Sequence, residues 1–434
     1  MKKTYKMVSI GCKVNAYELD AIAEKLNSEG YQMALFDDEV DVLIINTCAV
    51  THTAAQKSRQ IIRREIKKHP NAISVVMGCY SQINKNFISD IPNISIVLGT
   101  SNRDKVFDYI RSFEQNKEQI VALRDNPRQF EYEELGACAK TLHTRAYLKI
   151  QDGCDNFCSY CIIPHARGKS RSRSFDEAIK EAKELTNLGY KEIVLTGINT
   201  GTYGQDIGTN LTELIKEIIR ICPSLYRLRI SSIEANEVTE ELIALISKTP
   251  MLAKHLHIPL QSGNDEILNL MNRKYTIEDF KNKIDLIRKY MPEVAITTDV
   301  IVGFPTETEE QFISTYEFIK KMKFSDLHVF PYSQRKGTKA AILKEQIVPD
   351  IKKERVSKLL TLANELSKDY ASKFLNKEVE VLIEYFDKSK NAYFGHTSNY
   401  LPLYIKSDEY IKHKVIKTLY KIRQCRNKLT AYND

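Results

Sequence analysis

Three cysteines stand close together in this chain, Cys154, Cys158 and Cys161, and the next on either side, Cys138 and Cys222, are distant. Thiolates at such spacing hold iron or zinc, and a structural zinc site or closed cluster normally takes four protein ligands. Three ligands leave one coordination position for a substrate or cofactor. The chemistry to expect is that of an iron–sulfur enzyme rather than a structural metal site. A second set is scattered through the N-terminal third: Cys12, Cys48 and Cys79. Each alone reads as an ordinary buried cysteine. Whether they act together depends on the elements that carry them.

Around the scattered set, apolar runs at 5–10, 42–45, 73–77 and 94–98 read as short buried strands, and 16–28, 53–67 and 102–113 as helices. This alternation predicts a parallel sheet with helices on both faces. Cys12, Cys48 and Cys79 each follow a strand, at carboxyl ends that gather on one edge of such a sheet, where ligands bind. Gly11, Asn46 and Gly78 beside them would let backbone approach a bulky inorganic group. Three cysteines in equivalent positions favour a second metal site over three independent core residues. Beyond a polar connector at 124–144, strands are expected at 146–150, 193–195, 227–230, 255–258, 295–302 and 327–330. Helices are expected at 174–188, 211–221, 239–248, 277–290 and 308–321. Six units fall short of a closed eightfold barrel, so an α/β chain with a partial (β/α)6 barrel is predicted, its function on the loops after the strands. The first such loop holds Cys154, Cys158 and Cys161; later ones hold Gly197, Asn199, Ser232, Glu234 and Gln261, which fall where cofactor contacts belong. Glu234 and Arg335 read equally well as members of a structural salt bridge. His165, His255 and His257 lack any Cys/His zinc spacing and read as hydrogen-bonded barrel histidines.

The chain has 434 residues, 43% of them hydrophobic, enough for two or three domains. It has no apolar run long enough to span a membrane and no signal peptide, so a cytoplasmic protein without membrane contact is expected. Nine cysteines there argue for metal or redox chemistry over disulfides. The net charge of +8 is concentrated near the end, where residues 388–428 hold ten Lys or Arg against Asp408 and Glu409. Short strands at 379–385, 392–395, 403–405 and 415–422 predict a small all-β barrel. Tyr385, Phe386, Tyr393, Phe394, Tyr400, Tyr404, Tyr410 and Tyr420 are interleaved with the cations, some as core and some as rings for bases. Lys412, Lys414, Lys417 and Arg423 are the RNA-binding candidates here. Arg167, Arg171 and Arg173, beside the cysteine loop, form a second candidate set for phosphate, against the reading of a solvated charge run.

Cys-x3-Cys-x2-Cys with Tyr160 before the last cysteine resembles the radical S-adenosylmethionine superfamily. The preceding three-cysteine domain and the Ile-Pro-x-x-Arg-Gly-x-x-Arg-Ser-Arg run at 163–173 resemble its methylthiotransferase branch, over nearly the whole chain. The run at 395–400 resembles the Gly-x-Thr-x-Asn-Tyr run of the RNA-binding TRAM domain. The resemblance implies an α/β domain at 1–120, a radical core at 140–370 and a TRAM-like barrel at 373–434. It implies two [4Fe–4S] clusters. The one on Cys154, Cys158 and Cys161 would chelate S-adenosylmethionine, contacted by Tyr160, and cleave it to a 5′-deoxyadenosyl radical. The one on Cys12, Cys48 and Cys79 would present the sulfur that is methylated and inserted. The implied partners are the anticodon stem-loop of tRNA and an unidentified electron donor, with a monomer as the default. The runs at 151–154, 161–164, 196–201 and 332–335 look most like the enzymes of N6-threonylcarbamoyladenosine, which carry the methylthio group to C2. The isopentenyladenosine relative and a ribosomal-protein aspartate relative are the alternatives. A non-catalytic RNA-binding iron–sulfur sensor, from a different class, would never cleave S-adenosylmethionine.

Overall fold

The computed structural model describes residues 2–35, 39–136, 144–425 and 428–433, without the side chains of Phe87 and 422–433. In the N-terminal third, β1 (Thr4–Ser9), β2 (Gln32–Met33), β3 (Val42–Thr47), β4 (Ile73–Gly78), β5 (Ile96–Leu98) and β6 (Ile120–Ala122) form one parallel sheet in the order β2-β1-β3-β4-β5-β6. The expected four strands are present. The two additional ones are edge strands of two and three residues, too short to show a period. Helices α1 (Lys13–Ser28), α2 (His52–Lys68), α3 (Cys79–Ile83), α4 (Lys85–Ser89) and α5 (Val106–Asn116) connect them. Alternating side chains divide the two faces. Val42, Ile44, Val75 and Met77 pack with α1 and α5, while Leu43, Ile45 and Val76 pack with α2, α3 and α4.

The central region begins with β7 (Ala146–Lys149), β8 (Gln151–Asp152), α6 (Ile163–Arg167), β9 (Arg171–Ser172) and α7 (Phe175–Asn187). It continues with β10 (Glu192–Thr196), α8 (Leu211–Ile221), β11 (Arg227–Ile230), α9 (Glu240–Lys248), β12 (His255–His257), α10 (Asp265–Leu270) and α11 (Ile277–Tyr290). It closes with β13 (Ala295–Val302), α12 (Glu309–Met322), β14 (Asp326–Pro331) and α13 (Pro349–Ser372). β7, β10 and β11 pair in parallel, as do β12, β13 and β14. Parallel bridges from Leu228 to Leu252 and from Ser232 to His257 join the halves. The result is the six-stranded partial barrel, with β7 and β14 as its edges and α1 lying along β7. Threonine and asparagine caps set the outer helices: Asn210, Thr239, Thr276 and Thr308 accept from the third helical amide.

The described part of the polar connector, up to residue 136, is packed against the rest of the chain. Phe130 is buried, Tyr132 donates to the Lys149 carbonyl, and Glu133 and Glu134 bind Arg103 and Arg173. At the end of the chain, β15 (Glu378–Asp387), β16 (Ala392–Thr397), β17 (Pro402–Ile405), β18 (Val415–Leu419), β19 (Ile422–Cys425) and β20 (Lys428–Asn433) form a sheet in the order β18-β15-β16-β17-β20-β19, antiparallel except for β17 with β20. The single strand expected at 415–422 is two: Tyr420 still follows the β15 register through the Lys377 carbonyl, with its ring in the core, and from Ile422 the chain pairs with β20 instead. Helix α13, also unforeseen, joins the two regions: Leu359, Leu362 and Leu366 pack into the central core, and Tyr370 and Ala371 into the terminal one. Among the described residues, no helix is long and apolar enough to cross a membrane.

Candidate active site

Strand register brings the scattered thiols together. Ser9 pairs with Asn46, and Thr47 pairs with Gly78, so Cys12, Cys48 and Cys79 leave three neighbouring strands at the same edge. Gly11 (φ +122°) and Gly78 (φ +104°) hold backbone that L side chains avoid, and a Cβ on Gly11 would lie 2.9 Å from that of Cys48. Cys12 caps α1, and its sulfur contacts Asn15 Oδ1 at 3.6 Å. Burial pushes the Cys79 thiol up to about 12 and raises Cys48. Iron must therefore displace protons when it binds.

The second thiol set is clamped between strands. β8 and β9 pair antiparallel, and the Cys154 amide donates to the Gly168 carbonyl. A Cβ on Gly153 would run into the Lys169 carbonyl at 1.9 Å. From the far side, Asn272 donates to the carbonyls of Asn156 and Phe157, and the Ser159 amide donates to Met271. Burial pushes the Cys154 and Cys161 thiols up to about 12. Cys154 and Cys161 pack against the same apolar cluster as Cys48 and Cys79, through Ile162, Ile163 and Ala166. Thus a thin apolar layer separates two sets of free thiols, each with three soft donors, which fits two [4Fe–4S] groups with an open iron apiece.

Arg167, Arg171 and Arg173 are not available to phosphate. All three are buried. Arg167 donates to Cys79 Sγ (3.2 Å), Glu18 (2.9 Å), Asp152 (3.0 Å) and Asn15 (2.9 Å). Arg171 pairs with Asp152 at 3.3 Å, and Arg173 with Glu134 at 2.8 Å and with Glu181. Arg103 and Lys149 complete the network around Glu18 and Asp152. Burial opposes the charge on Glu18, but Arg103, Arg167 and Lys149 overcome it and hold its carboxyl far below the usual range. Arg167 thereby links the loop of one thiol set to a sulfur of the other.

Of the expected cofactor contacts, Gly197 and Ser232 line a chamber in the barrel. Asn199 turns its side chain to Glu237 at 2.7 Å, and its amide is held by Gln151. Gln261, at φ +68°, binds the Asp299 carbonyl through its amide. Tyr160 packs against Phe304, Tyr332 and their neighbours. Glu234 does form a salt bridge, with Arg273, which also donates to Cys158 Sγ at 3.4 Å. Nothing in the sequence singles out Arg273 beyond its place in a polar run after α10. Arg335 has no acidic partner among the described residues. It stands near Cys48, and its loop meets α2 through Ser333, which accepts from the His52 amide.

The chamber has a volume of about 580 Å3. Gly11, Cys12 and Lys13 enter it from one side, and Thr196, Gly197, Ser231 and Ser232 from another. His255 and His257 bond to Thr297, and Asp299 takes both His257 and His328. Burial, with Arg229 and His257 adding repulsion, drives His255 well below its ordinary value. Tyr400 closes the floor, stacked on His255 at 4.8 Å beneath Arg229. Its 395–400 run docks on the barrel: Arg229 donates to the Thr397 and Ser398 carbonyls.

On the terminal sheet, Tyr385, Phe394 and Tyr404 form a ladder of rings 4.8–5.1 Å apart, with Lys390 over Tyr404. Lys414 and Lys417 are exposed and Lys412 partly so; Lys417 pairs loosely with Glu380. Tyr393, Tyr404 and Tyr420 are core residues, whereas Tyr385, Phe386 and Tyr410 are exposed. The side chains of Arg423 and Cys425, and the whole of Cys138, lie outside the described residues.

The chain is similar to known proteins over most of its length. The family profile described as the radical SAM superfamily matches residues 148–319, and that of uncharacterized protein family UPF0004 matches 4–99. The chain is 45% identical over 413 residues to the threonylcarbamoyladenosine tRNA methylthiotransferase MtaB of Bacillus subtilis (94% of this chain, 92% of that one). It is 38% identical over 407 residues to the same-named protein of Thermotoga maritima (94% and 91%). It is 35% identical over 401 residues to the tRNA-2-methylthio-N(6)-dimethylallyladenosine synthase of Acetivibrio thermocellus (91% and 83%). Among solved structures, the radical S-adenosylmethionine methyltransferase TsrM of Kitasatospora setae shares the fold, with a TM-score of 0.58 at 14% identity, covering 79% of this chain and 74% of that one.

Proposed function

This chain belongs to the radical S-adenosylmethionine methylthiotransferases, and from that premise we propose that it places a methylthio group on C2 of N6-threonylcarbamoyladenosine beside the anticodon of tRNA. The observation that carries the reading is the chamber into which Cys12 of one thiol set opens, opposite the loops at 196–197 and 231–232 that follow β10 and β11. Cys154, Cys158 and Cys161 would hold the cluster that binds S-adenosylmethionine, and Cys12, Cys48 and Cys79 the cluster that presents sulfur. Together these groups supply the electron, the radical and the sulfur. The chain's own residues do the rest. Arg273 and Arg167 donate hydrogen bonds to one sulfur of each set. The exposed rings of Tyr385, Phe386 and Tyr410 and the lysines on the terminal sheet suit the unpaired bases and phosphates of an anticodon loop. The protein would act in the cytoplasm as a monomer, with electrons from a separate donor.

Mass spectrometry of tRNA nucleosides is the test. Cells without this protein should lose 2-methylthio-N6-threonylcarbamoyladenosine and accumulate its unthiolated precursor; loss of the isopentenyl counterpart instead would reassign the substrate. In the purified enzyme, Cys158→Ala should abolish 5′-deoxyadenosine formation. Cys48→Ala should retain it while giving no methylthio product, which a non-catalytic sensor would not do.

A further inference from the structure

The chamber combines an apolar wall with a cluster of polar side chains. Its wall presents Lys13, Arg229, His255, His257, Asp299 and His328, together with Thr297 and Asp326. Most of these are already committed. Arg229 is bound by Glu192 and by carbonyls of the terminal domain. The imidazoles are bound by Thr297 and Asp299. Lys13 is different. It is the first residue of α1, its charge acts on Arg229, His255 and His328 across the lumen, and it makes no hydrogen bond or ion pair among the described residues. Its side chain is exposed and therefore free to meet a ligand, and a carboxylate would supply both counter-charge and acceptors. The acids of the wall do not fill that role: Asp299 is taken by two histidines, and Asp326 accepts from the Leu327 amide.

The chemistry of the base fits this position. In adenine, C2 and C6 flank the ring nitrogen N1 and C6 bears N6, so a base that offers C2 to the thiol sets carries its N6 substituent into the same space. A chamber of about 580 Å3 is of the size that holds such a ligand. We infer that the lumen is the pocket for the N6 substituent and that the Lys13 ammonium anchors its carboxylate. This assignment rests on the proposed threonylcarbamoyl substrate. Lys13 is a specificity residue, lying beside a cluster ligand without being one.

The test uses the loaded enzyme with two anticodon hairpins, one bearing N6-threonylcarbamoyladenosine and one bearing its neutral methyl ester. Wild-type enzyme should bind the acid at least tenfold more tightly; equal affinity overturns the inference. Lys13→Gln should bring the ratio close to one by weakening only the acid, and Lys13→Arg should preserve the preference. Iron and sulfide analysis checks that both clusters are loaded in each variant. A loaded Lys13→Gln enzyme that still prefers the acid overturns the assignment, as does a loaded Lys13→Arg enzyme that loses the preference. If Lys13→Gln does not load, the wild-type ratio and Lys13→Arg decide. Failure of the substrate reading itself looks different: wild-type enzyme would leave the acid hairpin unthiolated and thiolate an isopentenyl one.

Discussion

Arg167 and Arg273 lie 106 residues apart in the chain, yet each donates a hydrogen bond to one sulfur, of Cys79 and Cys158 respectively. Hydrogen bonds to ligand sulfurs are one of the levers that set cluster potentials. Arg167 carries a second burden, since Glu18 and Asp152 are as deeply buried as it is. Removing one partner of such a group leaves charge uncompensated, so Arg167→Met should lower stability by about 3–5 kcal/mol in urea unfolding. A loss below about 1 kcal/mol would show that Arg103 and Lys149 suffice. That Cys12, Cys48 and Cys79 gather at one sheet edge was legible from their places after three strands. The arginine run was legible as charge but not as buried charge, because its counter-ions, Glu18, Glu134, Asp152 and Glu181, come from three other segments that no local pattern connects to it.

Helix α1 shows why helical amphipathicity was only half readable. Its apolar side, with Leu19, Ile22 and Leu26, faces the sheet as the pattern implies. Its polar side does not face water: Asn15, Tyr17, Glu18 and Asp20 are buried toward the barrel. The strand ends could be placed within about two residues because the central strands are short runs or alternations of apolar residues, as in Arg227–Ile230 and His255–His257; α13 escaped because its apolar positions are divided between two cores. Asp20 gives the helix a measurable pH response. Burial raises its pKa to about 7, and its Oδ2 lacks a hydrogen-bond partner among the described residues. Below roughly pH 4 it is protonated in both folded and unfolded chains. As pH rises toward 7 only the unfolded chain ionises, so stability is lost over that window and stays lost above it. Asp20→Asn should therefore stabilise the protein by about 2–4 kcal/mol at pH 8 and by little at pH 4. Denaturant curves at the two values check this, and a pH-independent difference would point to packing instead.

At the scale of the whole molecule, excess positive charge gathers on the terminal domain, while the arginines near the thiols are neutralised internally. Binding of an anticodon hairpin should accordingly depend on salt through the end of the chain. Replacing Lys412, Lys414 and Lys417 together with Gln should weaken binding and lower the slope of log affinity against log salt by roughly 2, given a slope of about 0.7 per contact on single strands. An unchanged slope would place the phosphates elsewhere. The same domain reaches inward: Tyr400 lies under His255, and the turn that carries it is pinned by Arg229. That contact changes what the end domain is for. A truncated enzyme would not be a sound catalyst missing its grip on RNA. It would be a vessel without a base, open to solvent at the end opposite its mouth.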